Sequence, residues 1–344
     1  MLDLYALQVF LLAAETENFS ETARLLNISQ PAVSGHIHAL EQQLNTRLFE
    51  RTGRNIRLNE VGSAFVPVVR NLLKEVRQAE SFIASRRGTI SGHLTLGCST
   101  ACGKYILPGI ISRFLAQHPD VRVTCWVGQR GTALDSLASG EIDLAVSSLR
   151  VPGREFEYRH FSDDLLILIV PPGHPWAQRA SLEPDDLVEH PFILREPGSG
   201  TAITINRALA RYDLSIDVLS SRLVLANTES IVQAVCAGIG PAFVSRVAAE
   251  NALEKGLVRE VAVPGLDLVM RLFMARHTRL GASDVQRAFW DFTFAPENRD
   301  LLHFFGESEL SAASRQGNPP GGKPARRRRA ESREPEQDQG LGEL

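Results

Sequence analysis

Residues 19–44, FSETARLLNISQPAVSGHIHALEQQL, constrain the fold more tightly than any other stretch of the chain. Ser20 is placed to cap one short helix, with Ala23 and Leu26 turned inward. Asn27 and Ile28 leave room for only a tight turn. Ser29 is placed to cap a second helix, and Pro31 falls in its first turn, where a missing N–H costs nothing. Val33, Ile37, Leu40 and Leu44 make its apolar stripe. The other face holds Pro31, Ser34, Gly35, His38 and Gln42, and is small, polar and nearly uncharged. Ahead of the pair, Leu4, Leu7, Phe10, Leu11 and Ala14 form one side of a first helix, so the N-terminal stretch, with Asp3 and no basic flank, is not read as a secretory signal. Two short helices crossing at a small alanine describe a helix-turn-helix, although a plain three-helix bundle has the same periodicity.

The next segment separates those readings. TRLFERTGRNIRLNEVG sets Arg47, Arg51, Arg54 and Arg57 against Glu50, with Gly53 at a turn. Two strands near 48–51 and 56–58 would make a β-wing whose arginines reach phosphates, which supply affinity without sequence information. The net charge of −3 excludes a chain-wide basic field, so nucleic-acid contact has to come from a local patch such as this one.

Residues 19–62, with the helix before them, resemble the winged helix-turn-helix of the LysR-type transcriptional regulators; the likeness covers about residues 4–62. It implies a sequence-specific regulator of double-stranded DNA. Gln30, Pro31 and Ser34 would lie at the major groove beside the cap residue Ser29, with Arg51 and Arg54 on the phosphate backbone. Many members carry a basic residue where this chain has Gly35, and His38, one turn on, is the partial substitute. RNA polymerase is the further partner the resemblance implies.

From Asn59 the pattern changes. Phe65, Val69, Leu72, Val76, Ala79 and Ile83 alternate by four and three, a seam suited either to a partner helix or to the helix's own domain. Asn59 or Glu60 starts the helix, and Pro67 is expected to kink it. The family dimerises through such a helix, so Phe65, Val69, Leu72 and Val76 are the expected dimer contacts. A dimer or tetramer would read an interrupted palindrome. SRRGTIS is the expected hinge.

Beyond residue 91, strand and helix patterns alternate: HLTLGCS, GKYILPGIISRFLAQHP, VRVTCWVG, TALDSLASG and IDLAVSSL, then a second series from PFILREPGSG to PAFVSRVAAEN. This rhythm implies α/β lobes built on parallel sheets. GEIDLAV and ESIVQAVCAGIGPAFVSRVA are similar to stretches of the family's effector domain, which implies a two-lobed, periplasmic-binding-protein-like fold. The expected organisation is a winged helix-turn-helix at 1–60, a dimerisation helix and hinge at 61–90, an effector domain at 91–300 and a disordered tail at 301–344. Lobe 1 would take about 91–162 and 270–300, and lobe 2 about 163–269. The chain would cross between lobes near 161–164 and return near 265–271, with WDFTF closing lobe 1.

Ligands of open α/β sheets sit beyond the carboxyl ends of strands. Ser99 and Thr100, Ser147 and Ser148, and Gly198, Ser199, Gly200 and Thr201 fall at such ends, with Gln129 and Thr228 at others. Hydroxyls and free helix-start amides make an anion site, and the cleft need not contain an arginine. Ser, Thr and Gly are also ordinary caps and turn residues. GCSTACGKYILP and REPGSGTA resemble the sulfur-assimilation branch of the family, which implies a small oxyanion such as sulfate or sulfite, or an acetylated amino acid.

An enzyme is disfavoured. PGSGT lacks the first glycine of a nucleophile elbow, and no phosphate loop, zinc spacing or dinucleotide fingerprint occurs. Cys98, Cys102, Cys125 and Cys236 form no CxxC pair, so free thiols in a reducing cytoplasm and no metal are expected. No cofactor and no membrane span are expected either. The tail is rich in Pro, Gly and charge, and the glutamates at 331, 334 and 336 oppose the arginine run at 326–329.

Overall fold

In the computed structural model, residues 2–52, 55–85, 89–128 and 130–303 are described. Three helices, α1 (Leu4–Thr16), α2 (Phe19–Leu26) and α3 (Gln30–Leu44), pack around Phe10, Val33, Ile37 and Leu40, all nearly inaccessible to solvent. Each ends on a residue in the left-handed region, Glu17, Asn27 and Asn45, which turns the chain within one residue. Asn18, not Ser20, caps α2: its carboxamide oxygen accepts the amides of Ser20 and Glu21, two residues earlier than the sequence pattern indicates. Ser29 caps α3 by accepting the Ala32 amide. Strands β1 (Phe49–Thr52) and β2 (Asn55–Leu58) form the antiparallel wing. Gly53 and Arg54 at its tip, and the Arg51 side chain, lie outside the described residues.

Helix α4 (Glu60–Ser85) starts where Asn59 accepts the Gly62 amide, and it continues unbroken through Pro67. Its sequence seam is divided between two environments. Val69 and Leu73 are buried in the helix-turn-helix core, and the Phe65 ring lies 5.5 Å from that of Phe10. Val69 is therefore corrected as a dimer contact, because the core of its own chain covers it fully, while Phe65 stays half-buried. Val61, Val68 and Leu72 stay exposed, and Val76 is half-buried. The hinge residues 86–88 and the Ile83 side chain lie outside the described residues.

The remaining chain forms two lobes. In lobe 1, β3 (Gly92–Cys98), β4 (Val121–Val127) and β5 (Leu144–Ser147) are parallel, as the alternation implies. Helices α5 (Leu107–Gln117), α6 (Arg130–Ala138) and α10 (Asp284–Thr293) flank them. Phe289 and Trp290 of α10 enter the lobe-1 core beside Phe114. Lobe 2 carries β7 (Phe192–Arg195), α7 (Gly200–Leu209), β8 (Ser221–Leu225), α8 (Thr228–Cys236), β9 (Ala242–Ser245), α9 (Arg246–Glu254) and β10 (Arg259–Val261). Two long strands join the lobes and depart from the all-parallel expectation. β6 (Phe156–Val170) runs antiparallel to β11 (Val269–His277), and its last residues pair with β9 and β10 of lobe 2. β6 thus runs through both lobes, and β11 returns the chain to lobe 1 beside it. Among the described residues no helix is long and apolar enough to cross a membrane.

Candidate functional site

Two surfaces carry the candidate residues. On the first, α3 presents Gln30, Pro31, Gly35 and His38 to solvent, with Ser34 half-buried. The His38 ring nitrogen and the Gln42 carboxamide lie 3.0 Å apart, so these two side chains act as one polar unit. A groove of about 560 Å³ runs between α3 and the wing, lined by Ser34, His38, Gln42, Arg47 and Glu50. A Cβ added at Gly35 would meet nothing within 4 Å, so the helix face is open there. Exposed Arg47 and Arg57 supply positive charge beside it.

The second surface lies between the lobes. Ser99, Thr100, Ser148, Ser199, Thr201 and Thr228 line one cavity of about 170 Å³. Three helix starts meet there: the helix that begins at Thr100, α7 and α8. Their N-terminal amides give the cleft a positive partial charge. The lobes approach closely at Gly200, where a Cβ would come within 2.7 Å of both Ser148 Oγ and Met270 S, so a side chain there would part them.

Not every expected residue takes part. Ser199 uses its hydroxyl to accept the Ala202 amide at 3.2 Å, the work of an ordinary cap, while still forming part of the wall. Ser147 is corrected to a buried structural residue. It is fully inaccessible and accepts the Leu149 amide, whereas its neighbour Ser148 faces the cavity, as alternation along an extended chain requires. Gly198, at φ +84°, is exposed outside the cavity wall and serves the turn before α7. Gln129 lies outside the described residues.

Arg195 and Glu196 are the cleft residues that sequence reasoning missed. The Arg195 guanidinium holds both Glu196 carboxylate oxygens, at 2.7 and 2.9 Å, and donates to Thr228 Oγ1 at 2.9 Å and to the Ala226 carbonyl at 3.3 Å. The cleft therefore contains an arginine, although an anion site does not require one, and it is already paired with its neighbour. The signal was present as an Arg–Glu pair at the carboxyl end of a strand, directly before the glycine-rich turn. Nearby, Lys104 pairs with Glu229 at 3.1 Å, and that hydrogen bond raises the Lys104 pKa. The Ser99 hydroxyl, in contrast, is buried without a hydrogen-bond partner. An unmet buried hydroxyl is costly, which makes it a natural point for a ligand.

Comparison with known proteins covers both surfaces. Residues 4–63 match the family described as bacterial regulatory helix-turn-helix protein, lysR family, and residues 87–295 match the LysR substrate binding domain. The chain is 32% identical over 270 residues to a "Probable RuBisCO transcriptional regulator" of Cyanidioschyzon merolae, covering 78% of this chain and 89% of that one. Full-length CbnR, a LysR family regulator solved in complex with its target DNA, is similar at TM-score 0.64 and 18% identity, over 85% of this chain and 98% of that one. The regulatory domain of Synechocystis PCC6803 CcmR, solved in complex with 2-PG, is similar at TM-score 0.54 and 24% identity, over 59% of this chain and 96% of that one.

Proposed function

Because the chain belongs to the LysR family of transcriptional regulators, we propose that it binds an operator through α3 and the wing, and that a small anionic metabolite seated between its lobes sets that binding. The family and the names of the relatives are those of regulators, not enzymes. The observation that carries the anionic reading is the convergence of three helix starts on the unpartnered Ser99 hydroxyl, with Thr100 and Thr201 beside it. With Arg195 already paired, amides and hydroxyls are left to meet the oxygens of an anion. The small cavity favours a compact ligand. The 2-PG bound by the Synechocystis protein is a small metabolite, and the RuBisCO regulator relative favours carbon metabolism as the source of the signal. The sulfur-like stretches keep small sulfur oxyanions in the comparison.

On the DNA side the proposal assigns Ser29, Gln30, Pro31, Ser34 and His38 to the groove and Arg51 and Arg54 to phosphates. The working division is 1–60 for DNA binding, 61–90 for assembly and from 91 for the effector; Leu302 is buried in the lobe-1 core and the His303 carbonyl accepts the Asp163 amide, so lobe 1 extends past 300, and the expected tail beyond 303 lies outside the described residues. Val61 and Val68, exposed along α4, replace Val69 among the proposed dimer contacts; Phe65, Leu72 and Val76 are retained. A two-fold dimer or a tetramer, acting in the cytoplasm with RNA polymerase as its further partner, completes the reading.

The test is a thermal-shift screen of sulfate, sulfite, thiosulfate, phosphate, O-acetylserine, 2-PG and simple carboxylates. A ligand that binds only the folded chain adds about 2.7 kcal/mol at a hundredfold excess over its Kd. At least one anion raises the melting temperature, and Thr100→Ala and Thr201→Ala weaken the effect. If no anion shifts the wild type, or the variants respond in full, the cleft is not an anion site.

A further inference from the structure

A second cavity, of about 630 Å³, lies between the DNA-binding unit and lobe 1 and shares only Gly128 with the cleft. Leu11 and Glu15 of α1 and Arg70 of α4 form one wall, while Val127, Ile142 and Glu141 of lobe 1 belong to the other. Trp126 stands at the rim, 65% exposed. Most of the lining is apolar, and the charges gather at the Glu15–Arg70–Glu141 end. There the charge is unbalanced. Arg70 is 2.5 Å from Glu141, whose other oxygen accepts the Ser136 hydroxyl at 2.8 Å, so Glu141 is satisfied. Glu15 reaches Arg70 only at 3.7 Å, with its side chain 57% exposed. Two carboxylates face one guanidinium, and Glu15 retains acceptor capacity. Apolar walls favour an apolar body, and an excess carboxylate favours a cation at its end.

We propose that this interdomain cavity is a second ligand site, for a small hydrophobic cation with an aromatic body between Leu11, Val127 and Ile142 and a single ammonium group against Glu15. The site is independent of the cleft reading. Its walls come from both units, so an occupant favours the arrangement in which α1 and α4 lie against lobe 1, by as much as it prefers that arrangement over others. An anion is disfavoured, because it would have to displace Glu15 or Glu141 from Arg70.

The experiment titrates the full chain with 4-phenylbutylamine and, separately, with 4-phenylbutyrate, which share a body and differ in the sign of the head. Trp126 fluorescence and calorimetry are the readouts. The amine is expected to bind saturably and about tenfold or more tighter than the carboxylate, a difference of about 1.4 kcal/mol. Trp126→Phe removes most of the fluorescence change but leaves the heat of binding. Glu15→Gln lowers amine affinity about tenfold, and Glu15→Lys reverses the preference toward the carboxylate. Both changes lie on an exposed side chain of α1, and circular dichroism confirms that each variant is folded. Thr100→Ala, in the cleft, leaves amine binding unchanged. Equal binding of amine and carboxylate, no saturable heat with either, or an undiminished amine affinity in Glu15→Gln would each overturn the proposal.

Discussion

Helix α4 has two apolar faces with different duties, and a pair of substitutions one turn apart separates them. Val69 is fully inaccessible in the helix-turn-helix core, whereas Leu72 is 42% exposed. Val69→Ala deletes two buried methyl groups, worth about 1.6 kcal/mol at about 0.8 kcal/mol each. The cavity left behind brings the loss to about 2–3 kcal/mol. Leu72→Glu removes no buried contact within the chain, so its cost to the fold of one protomer is within about 0.5 kcal/mol. Placed in an apolar interface, however, the same carboxylate leaves an unpaired charge. Urea unfolding and sedimentation equilibrium, each over a range of protein concentrations, read the two effects apart. Val69→Ala lowers the unfolding midpoint at every concentration and leaves association of the folded chains intact. Leu72→Glu raises the concentration at which folded chains associate and leaves the dilute-limit midpoint unchanged. The division of α4 is refuted if Val69→Ala dissociates chains without lowering the midpoint, or if Leu72→Glu unfolds the protomer.

Three further outcomes follow from particular contacts. Burial pushes the Asp164 carboxyl up to about 6, although the Ser245 hydroxyl donates to it at 2.5 Å. A folded-state pKa above the unfolded value gives stability that is present in full below pH 4 and lost as pH rises through about 6; Asp164→Asn should flatten this part of the pH–melting profile, and an unchanged slope would contradict it. Lys74 and Asp143 pair at 2.8 Å with side chains only 12% and 13% exposed, so Asp143→Ala should destabilise by about 1–3 kcal/mol in a thermal melt and uncouple α4 from lobe 1; an unaltered melt would show that the pair contributes nothing. Gln30→Ala should cost about 1–3 kcal/mol of discrimination at one or two base positions in a selection from random DNA, and an unchanged site preference would remove Gln30 from the groove.

The parts legible in the sequence are those with local causes. The α3 stripe of Val33, Ile37 and Leu40, the Ser29 cap and the alternation of β3, β4 and β5 each depend on a few neighbouring residues. The α4 seam misled because one heptad pattern serves an internal face and an external one equally well. Only the packing of the chain's own core around Val69 distinguishes them. In the cleft, hydroxyls at strand ends were readable from spacing, but Ser147 and Ser148 differ only in which way each points. The role of Arg195 depends on Thr228 and Ala226, more than thirty residues away, a contact that no local pattern encodes. The long antiparallel pair β6 and β11 likewise joins segments separated by all of lobe 2.

The most direct measurement is the affinity of the full chain for its operator, by fluorescence anisotropy, with and without the anion that raises its melting temperature. A ligand that prefers one lobe arrangement changes the DNA Kd by about 5- to 150-fold, the usual span of such coupling, and DNA changes the affinity for the anion by the same factor. The cleft reading predicts such a reciprocal change in the wild type. In Thr100→Ala the anion loses most of its effect while the Kd for DNA without it stays the same. Identical DNA affinity with and without a bound anion, or a full anion response in Thr100→Ala, would contradict control of DNA binding from this cleft.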